Sequence, residues 1–241
     1  MPSRPILISA MQFQDALNGG SINVIDVVEA AKRLGVDGVE LRRDYWRDKA
    51  SELPAARDRV REMGLLVTYA TMATLFNDDG GRQLRQDVDD AHTLGSPQLR
   101  VFPGQAPSDD DQASWDSAGD ALQYAADRGI IVALENFAQS PGCLVADIQR
   151  VLDRFGTQAL ATNIDIGNYS GNGQDPVEAV RTLGQRAVSS HLKDVAGSTT
   201  TYLGGGTIPL RQVLAEFDRL PHRILHLSLI HISEPTRQAE I

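Results

Sequence analysis

A glycine ends each amphipathic segment along much of this chain, and an apolar run rich in β-forming residues follows almost at once. Six glycines share this setting, at spacings of 29, 31, 34, 27 and 28 residues: Gly35, Gly64, Gly95, Gly129, Gly156 and Gly184. Each lies where a helix would end in a left-handed residue, a conformation that glycine adopts without steric cost. Each spacing accommodates one strand, one helix and two short loops. The pattern therefore predicts a regular alternation of strands and helices.

Eight strands are predicted within this pattern. Most are nearly continuous apolar runs, which is typical of parallel strands covered on both faces. Their ranges are 6–11, 38–42, 65–70, 98–102, 130–135, 160–165, 187–193 and 223–227. Such alternation builds either a closed barrel or an open doubly wound sheet. Because no GxGxxG follows the first strand, we expect the α/β fold of a (β/α)8 TIM barrel. The first long helix is expected to begin at Asn23, with Asp26 completing a capping box.

The composition suits one large soluble domain. The chain has 241 residues, of which 41% are hydrophobic, enough to bury a core without disulfide bonds or structural metal ions. Its single cysteine, Cys143, cannot form an internal disulfide. The net charge of −9 argues against nucleic acid as a partner. No apolar run reaches the roughly 18 residues of a membrane span, and the N-terminal run is too short for a signal peptide. We therefore expect a cytoplasmic protein.

The end of the chain departs from the pattern. The segment LSLIHISEPTR (227–237) resembles the in-frame translation of a sequencing adapter. We interpret residues 227–241 as a non-native tail and residues 1–226 as an incomplete barrel domain, with a divergent natural tail as the alternative. On this interpretation the barrel is truncated within its eighth strand and lacks its eighth helix. Apolar surface would then be exposed, and the tail is apolar enough to extend the strand.

Three polar residues occur at the ends of consecutive predicted strands. Glu135 ends IIVALE, Asp165 ends LATNID, and His191 lies near the end of AVSSHLK. The chemistry of a (β/α)8 barrel is located at the carboxyl ends of its strands, so these side chains should meet at one mouth. Two carboxylates and an imidazole can bind a divalent metal such as Mn2+, Mg2+, Co2+ or Zn2+. One acid at a strand end is often only a loop-start carboxylate, but three on neighbouring strands favour a metal site.

Several motifs carry a family resemblance. Their order and spacing resemble those of the sugar-phosphate isomerase/epimerase family, within the xylose isomerase-like barrel superfamily, over residues 6–226. The motifs are GVDGVELR (35–42), LRVFPG (99–104), ALENF (133–137), NIDIGN (163–168), SHLKD (190–194) and YLGGGTIPLRQVL (202–214).

The resemblance implies a metal held by Glu135, Asp165, His191 and a fourth ligand, a glutamate shortly after His226. The chain has Ser228 near that place and no glutamate before Glu234. We therefore expect weakened metal binding and little turnover from the chain as it stands.

The resemblance also implies an isomerase or epimerase acting on a sugar or sugar-like keto or hydroxy substrate through a metal-stabilised cis-enediolate. Glu135 would be the catalytic base. Asn168 and Lys193 are expected to bind substrate oxygens or to orient ligands. Glu40 is expected to face the substrate, with a salt bridge to Arg42 or Arg100 as the alternative. The partner would be a small molecule, and since relatives often associate through barrel faces, a homo-oligomer is compatible with the family.

Three other functions remain open at this point. Dehydratases of the dehydroshikimate or inosose type share the metal constellation and also begin by abstracting a proton. The endonuclease branch of the superfamily cuts DNA at abasic sites, but it needs more histidines and acids than residues 1–226 offer, with four histidines. A barrel without catalysis is the third alternative, against which the three intact ligands argue.

Three further features have competing interpretations. Gly204–Gly206 resembles a phosphate cradle, but a tight turn is the favoured interpretation. Asp194 is expected to act in a loop or an ion pair rather than as a metal ligand. His226 could point into the barrel, but it is not expected to bind metal.

Overall fold

Eight parallel strands close into a barrel in the computed structural model of the protein, which describes residues 4–77, 79–137, 140–156, 158–197 and 199–228. The order around the barrel is β1-β10-β7-β6-β5-β4-β3-β2. The strands are β1 (Ile6–Ser9), β2 (Gly38–Arg42), β3 (Leu66–Thr74), β4 (Gln98–Phe102), β5 (Ile131–Glu135), β6 (Leu160–Asp165), β7 (Ala187–Leu192) and β10 (Leu225–Ser228). A separate antiparallel pair, β8 (Asp194–Ala196) and β9 (Thr199–Thr201), follows β7. The predicted TIM barrel is confirmed.

Helices connect the strands along the chain. They are α1 (Gln14–Asn18), α2 (Val24–Leu34), α3 (Lys49–Met63), α4 (Arg82–Leu94), α5 (Gln112–Ala126), α6 (Val145–Phe155), α7 (Ile166–Gly171), α8 (Pro176–Leu183) and α9 (Leu210–Asp218). Helix α2 begins with the predicted capping box, in which Asn23 and Asp26 satisfy each other's backbone N–H groups. No helix in the described part of the chain is long and apolar enough to cross a membrane.

The predicted left-handed glycine is present at most of the predicted helix ends. Gly35, Gly64 and Gly95 are left-handed residues that end α2, α3 and α4. The expectation is wrong at Gly184, whose φ of −58° is right-handed, because the chain continues from α8 into a 3-10 turn. A Cβ there would lie 3.0 Å from Leu220, so close packing is what favours glycine at this position.

The main apolar core lies between the barrel and the helices. The barrel interior is different, because small residues leave room there for polar side chains. Gly38, Ala70, Ala133 and Ala161 occupy buried positions in β2, β3, β5 and β6. Side chains alternate between the two faces of a strand, so residues two positions apart share a face. Glu40 and Asn163 therefore face inward, because they follow Gly38 and Ala161 by two positions. Arg100 also faces inward, because it is the register partner of Ala133.

Strand β10 completes the barrel by pairing with β1 on one side and β7 on the other. It begins two residues later than predicted and runs one residue further, to Ser228. The remainder of the predicted tail, residues 229–241, lies outside the described residues, as does any helix that would follow β10.

Candidate metal centre

Glu135, Asp165 and His191 meet at the carboxyl-terminal mouth of the barrel. One donor atom from each lies within 4.8 Å of the other two, and all three residues are buried. His191 Nδ1 is 3.2 Å from Glu135 Oε1 and 3.5 Å from Asp165 Oδ2. The strands produce this convergence, because Asp165 and His191 are register partners in β6 and β7. The three predicted ligands are therefore brought together.

The electrostatics of this cluster fit a cation site. Burial opposes ionisation of Glu135, but the positive charges of His191 and Arg100 lower its pKa to about 2. Burial likewise disfavours the charged form of His191, yet Glu135, Asp165 and Glu40 raise its pKa well above the usual range. Carboxylates must be ionised and an imidazole neutral to bind a metal, so a cation would take over the charge that the imidazolium supplies. Two carboxylates and an imidazole are a suitable donor set for the divalent ions predicted.

Arg100 lies inside the barrel as the counter-ion of Glu135. Its Nε is 2.9 Å from Glu135 Oε2, and its Nη1 donates to the carbonyl oxygen of Thr71 at 2.9 Å. The side chain is only 3% exposed. This pair leaves Glu135 Oε1 as the oxygen that faces His191.

Glu40 lies on the other side of His191. Ser9 Oγ donates to Glu40 Oε1 at 2.8 Å, and Glu40 Oε2 is 3.6 Å from His191 Nε2. The alternative of a salt bridge from Glu40 to Arg42 or Arg100 is wrong: neither arginine of the described chain comes within 4.0 Å of its carboxylate, because Ser9 and His191 hold it. Burial opposes ionisation, but His191, with smaller contributions from Arg100 and Arg42, lowers the pKa of Glu40 to about 2.

Asn168 and Lys193 both contact Asp165. The backbone N–H of Asn168 donates to Asp165 Oδ1 at 2.8 Å, and Lys193 Nζ lies 3.0 Å from Asp165 Oδ2. Lys193 Nζ also donates to Asn168 Oδ1 at 2.6 Å. The lysine stem crosses Gly167 so closely that a Cβ there would lie 2.4 Å from Lys193 Cε. These contacts orient Asp165, which is one of the two roles expected for this pair.

Asn136 is a site residue that sequence reasoning missed. Its Nδ2 donates to the carbonyl oxygen of Asp165 at 2.9 Å, and its Oδ1 accepts the backbone N–H of Asp165 at 2.8 Å. The side chain is fully buried and joins the end of β5 to the end of β6. Its signal in the sequence was its place directly after Glu135 in ALENF.

Asp194 organises the loop that follows β7. Its Oδ2 accepts the backbone N–H groups of Gly204 and Gly206, and its Oδ1 accepts those of Val195 and Ile208. In the turn at Gly204–Gly206, two N–H groups therefore donate to an internal carboxylate, and that of Gly205 donates to the carbonyl oxygen of Tyr202, which excludes the phosphate cradle in this conformation. Burial opposes ionisation, but these four hydrogen bonds lower the pKa of Asp194.

The other histidines of the described chain lie away from the mouth. His92 is exposed on α4, and His222 contacts the carbonyl oxygen of Ala187. His226 faces outward, where Nδ1 is 2.6 Å from Ser190 Oγ and the ring packs edge-on against Phe217 of α9. It does not point into the barrel, because its neighbour Leu227 has the inward position on β10.

Leu227 lies where a fourth ligand would be useful. It is the register partner of His191 and is fully buried. Its apolar side chain offers no donor atom. The described chain therefore brings together three of the four ligands that the family resemblance implies.

A family profile described as xylose isomerase-like TIM barrel matches residues 28–235. No curated protein matches the chain significantly in sequence. Among solved structures, the probable 3-DHS dehydratase AsbF from Bacillus anthracis is 17% identical with a TM-score of 0.73, covering 93% of this chain and 92% of that one. D-allulose 3-epimerase from Methylomonas sp., solved in complex with D-allulose, is 18% identical with a TM-score of 0.72, covering 96% and 88%. The IOLI protein, solved with a bound zinc atom, is 14% identical with a TM-score of 0.72, covering 94% and 89%.

Proposed function

The chain belongs to the xylose isomerase-like TIM barrel family, and from that premise we propose that it is a divalent-metal-dependent isomerase or epimerase of a sugar or sugar-like substrate. The observation that carries the proposal is the meeting of Glu135, Asp165 and His191, with donor atoms within 4.8 Å of one another. We also propose a cytoplasmic location, which suits an enzyme of small polar metabolites.

Glu135, Asp165 and His191 would hold the metal. A bound divalent cation supplies Lewis acidity, which makes a C–H group next to a carbonyl more acidic. Lys193 and Asn168 keep the Asp165 carboxylate in one orientation, and Asn136 fixes the backbone that carries it. Glu40 Oε2 lies 3.6 Å from His191 Nε2, and a proton on Nε2 facing this carboxylate would leave Nδ1 free to bind the metal.

Glu135 is the proposed base. Its ionised carboxylate accepts the proton from the substrate carbon; return of that proton to the neighbouring carbon, with transfer of the hydroxyl proton to the former carbonyl oxygen, completes an isomerisation. The charges of His191 and Arg100 that keep Glu135 ionised also weaken it as a base, so substrate binding must loosen the pair between Arg100 Nε and Glu135 Oε2. Epimerisation needs a second proton donor on the opposite face, a role that the apolar Leu227 cannot fill.

A dehydratase is the second candidate. It would share the removal of a proton by Glu135, and the likeness in fold to a probable 3-DHS dehydratase is compatible with it. The specific observation that favours it is Arg42 at the mouth of the barrel, whose guanidinium has no carboxylate closer than 3.9 Å in the described chain and suits an acidic substrate.

Metal binding is the first test. Titration with Mn2+, followed by the electron paramagnetic resonance of the free ion, should show one site per chain. Asp165→Asn and His191→Gln should each weaken it by about tenfold or more, because the first replaces an anionic ligand by a neutral amide and the second removes the imidazole. The matched control is Asp58→Asn, which changes an exposed carboxylate on α3. Binding of Mn2+ to Asp165→Asn at wild-type strength would contradict the proposal. The protein loaded with Mn2+ would then be assayed for turnover of ketoses, ketose phosphates and hydroxy acids.

A further inference from the structure

Arg42 lies at the mouth of the barrel above the buried Glu40. It is the last residue of β2 and follows Glu40 by two positions, so both side chains lie on the inward face of the strand. Arg42 pairs in register with Ala70 of β3, and its side chain is only 11% exposed. The guanidinium thus lies on the inward face above Glu40, whose carboxylate is beside His191, and it is largely shielded from water.

The guanidinium of Arg42 has only weak partners. Nη1 lies 2.9 Å from Met11 Sδ, and Nη2 lies 3.4 Å from Met72 Sδ. A thioether sulfur is a weak acceptor. The nearest carboxylate of the described chain is Asp44, at 3.9 Å, and Arg42 Nε is buried without any hydrogen-bond partner.

Neighbouring arginines show the contrast. Arg43, the next residue, donates from Nη1 to both carboxylate oxygens of Asp87 at 3.1 Å. Arg100, also inside the barrel, has the Glu135 carboxylate and the carbonyl oxygen of Thr71. Arg42 alone among these three has no strong acceptor.

A buried guanidinium without a strong acceptor is costly, and its planar set of five N–H donors matches the geometry of carboxylate and phosphate groups. We propose that Arg42 binds an oxyanion of the substrate, either a carboxylate or a phosphate. The proposal rests on the proposed function in one respect, because it takes the anion bound by Arg42 to be part of the substrate that reaches the candidate metal centre. It narrows the substrate class from sugars in general to acidic sugar derivatives or hydroxy acids.

The surroundings of Arg42 leave the subsite adaptable. Met72 is 47% exposed, and both methionines have flexible side chains that can move aside for a ligand. The Glu40 carboxylate beneath is engaged by Ser9 and faces His191, and it does not come within 4.0 Å of the guanidinium. An incoming oxyanion would replace two weak sulfur contacts with charge-assisted hydrogen bonds.

Binding of small anions tests the proposal without metal or turnover. Calorimetric titrations at low salt would use inorganic phosphate, glycolate as the carboxylate probe, and neutral glycerol. We expect one of the two anions to bind and glycerol not to bind. Arg42→Gln should weaken anion binding by about tenfold or more. Arg42→Lys should weaken it less, because lysine keeps the positive charge and loses only the planar set of N–H donors. Tighter binding of phosphate indicates a phosphorylated substrate, and tighter binding of glycolate indicates a carboxylate.

The control is Arg33→Gln. Arg33 also has a carboxylate at 3.9 Å, that of Glu29, but it lies exposed on α2. Equal anion binding by wild type and a folded Arg42→Gln, or binding of neither anion to wild type, would overturn the subsite. Mn2+ titration of the same proteins separates the two proposals: if Mn2+ binds and anions do not, the subsite alone is wrong. If anions bind through Arg42 and Mn2+ does not bind, the metal-dependent function is wrong.

Discussion

Leu227 of β10 is the register partner of His191 of β7, and it lies fully buried beside the candidate ligands. A carboxylate at this position would face the same mouth as Glu135 and Asp165. Leu227 has no atom that could coordinate a metal, which explains in structural terms why we expect this chain to bind metal weakly.

Leu227→Glu is therefore predicted to strengthen Mn2+ binding by about tenfold, because affinity rises with the number of anionic ligands. Without metal the variant should be less stable than wild type, since it buries another charge. Added Mn2+ should raise its Tm more than that of wild type. Leu227→Gln is the neutral control, and an equal Mn2+ response in the two variants would contradict the placement of this side chain.

Glu40→Gln is predicted to weaken Mn2+ binding by about tenfold, although Glu40 is not among the proposed ligands. Glu40 Oε2 lies 3.6 Å from His191 Nε2, and carboxylates that orient the second ring nitrogen of a ligating histidine have effects of this size. Ser9→Ala, which removes the hydrogen bond to the other oxygen of Glu40, should have a smaller effect in the same direction. Mn2+ affinity in Glu40→Gln equal to that of wild type would show that His191 is oriented without Glu40.

Asp194→Asn is predicted to destabilise the loop after β7. An amide offers one acceptor oxygen, whereas the carboxylate accepts four backbone N–H groups with two. We expect a loss of about 2 kcal/mol in the free energy of unfolding, measured by urea denaturation. Limited proteolysis should cut faster between Gly204 and Ile208. Asp109→Asn, a change to an exposed loop carboxylate, should alter neither measurement.

His226 is predicted to make folding less favourable in mild acid. Burial, with a smaller contribution from Arg4, lowers the pKa of His226 from 6.5 to about 4. Below pH 6.5 the unfolded chain therefore binds a proton that the folded chain excludes, and stability falls as the pH falls from 6.5 towards 4. Between pH 7 and pH 5 the loss is about 2 kcal/mol.

Because His191 titrates in the opposite sense, the measurement is the difference in unfolding free energy between wild type and His226→Gln at each pH. That difference should shift in favour of the variant by the predicted amount as the pH is lowered. A difference that stays constant from pH 7 to pH 5 would show that His226 is protonated as easily in the folded protein as in the unfolded one.

Much of the fold and the three candidate ligands could be predicted from the sequence, because both follow from local rules. Glycines mark helix ends, and Glu135, Asp165 and His191 stand at the ends of recognisable strands. The prediction of a left-handed residue was wrong at Gly184, because this glycine is favoured by the packing of Leu220, which is distant in sequence.

The surroundings of the ligands could not be predicted, because they depend on which residues face each other across the barrel. Glu40 has Arg42 two residues away, yet its partners are Ser9 and His191, from β1 and β7. The poor pairing of Arg42 is visible only once its neighbours are known to be methionines. Sequence spacing gives no measure of such contacts.

Asn136 has a consequence for how this barrel can vary. Its side chain bridges to both backbone groups of Asp165, so the two carboxylate-bearing strand ends are tied together through main-chain atoms. The spacing of Glu135 and Asp165 then does not depend on the loops that leave β5 and β6. Those loops can change in length and composition, and so adapt to new substrates, while the distance between the two acids is preserved.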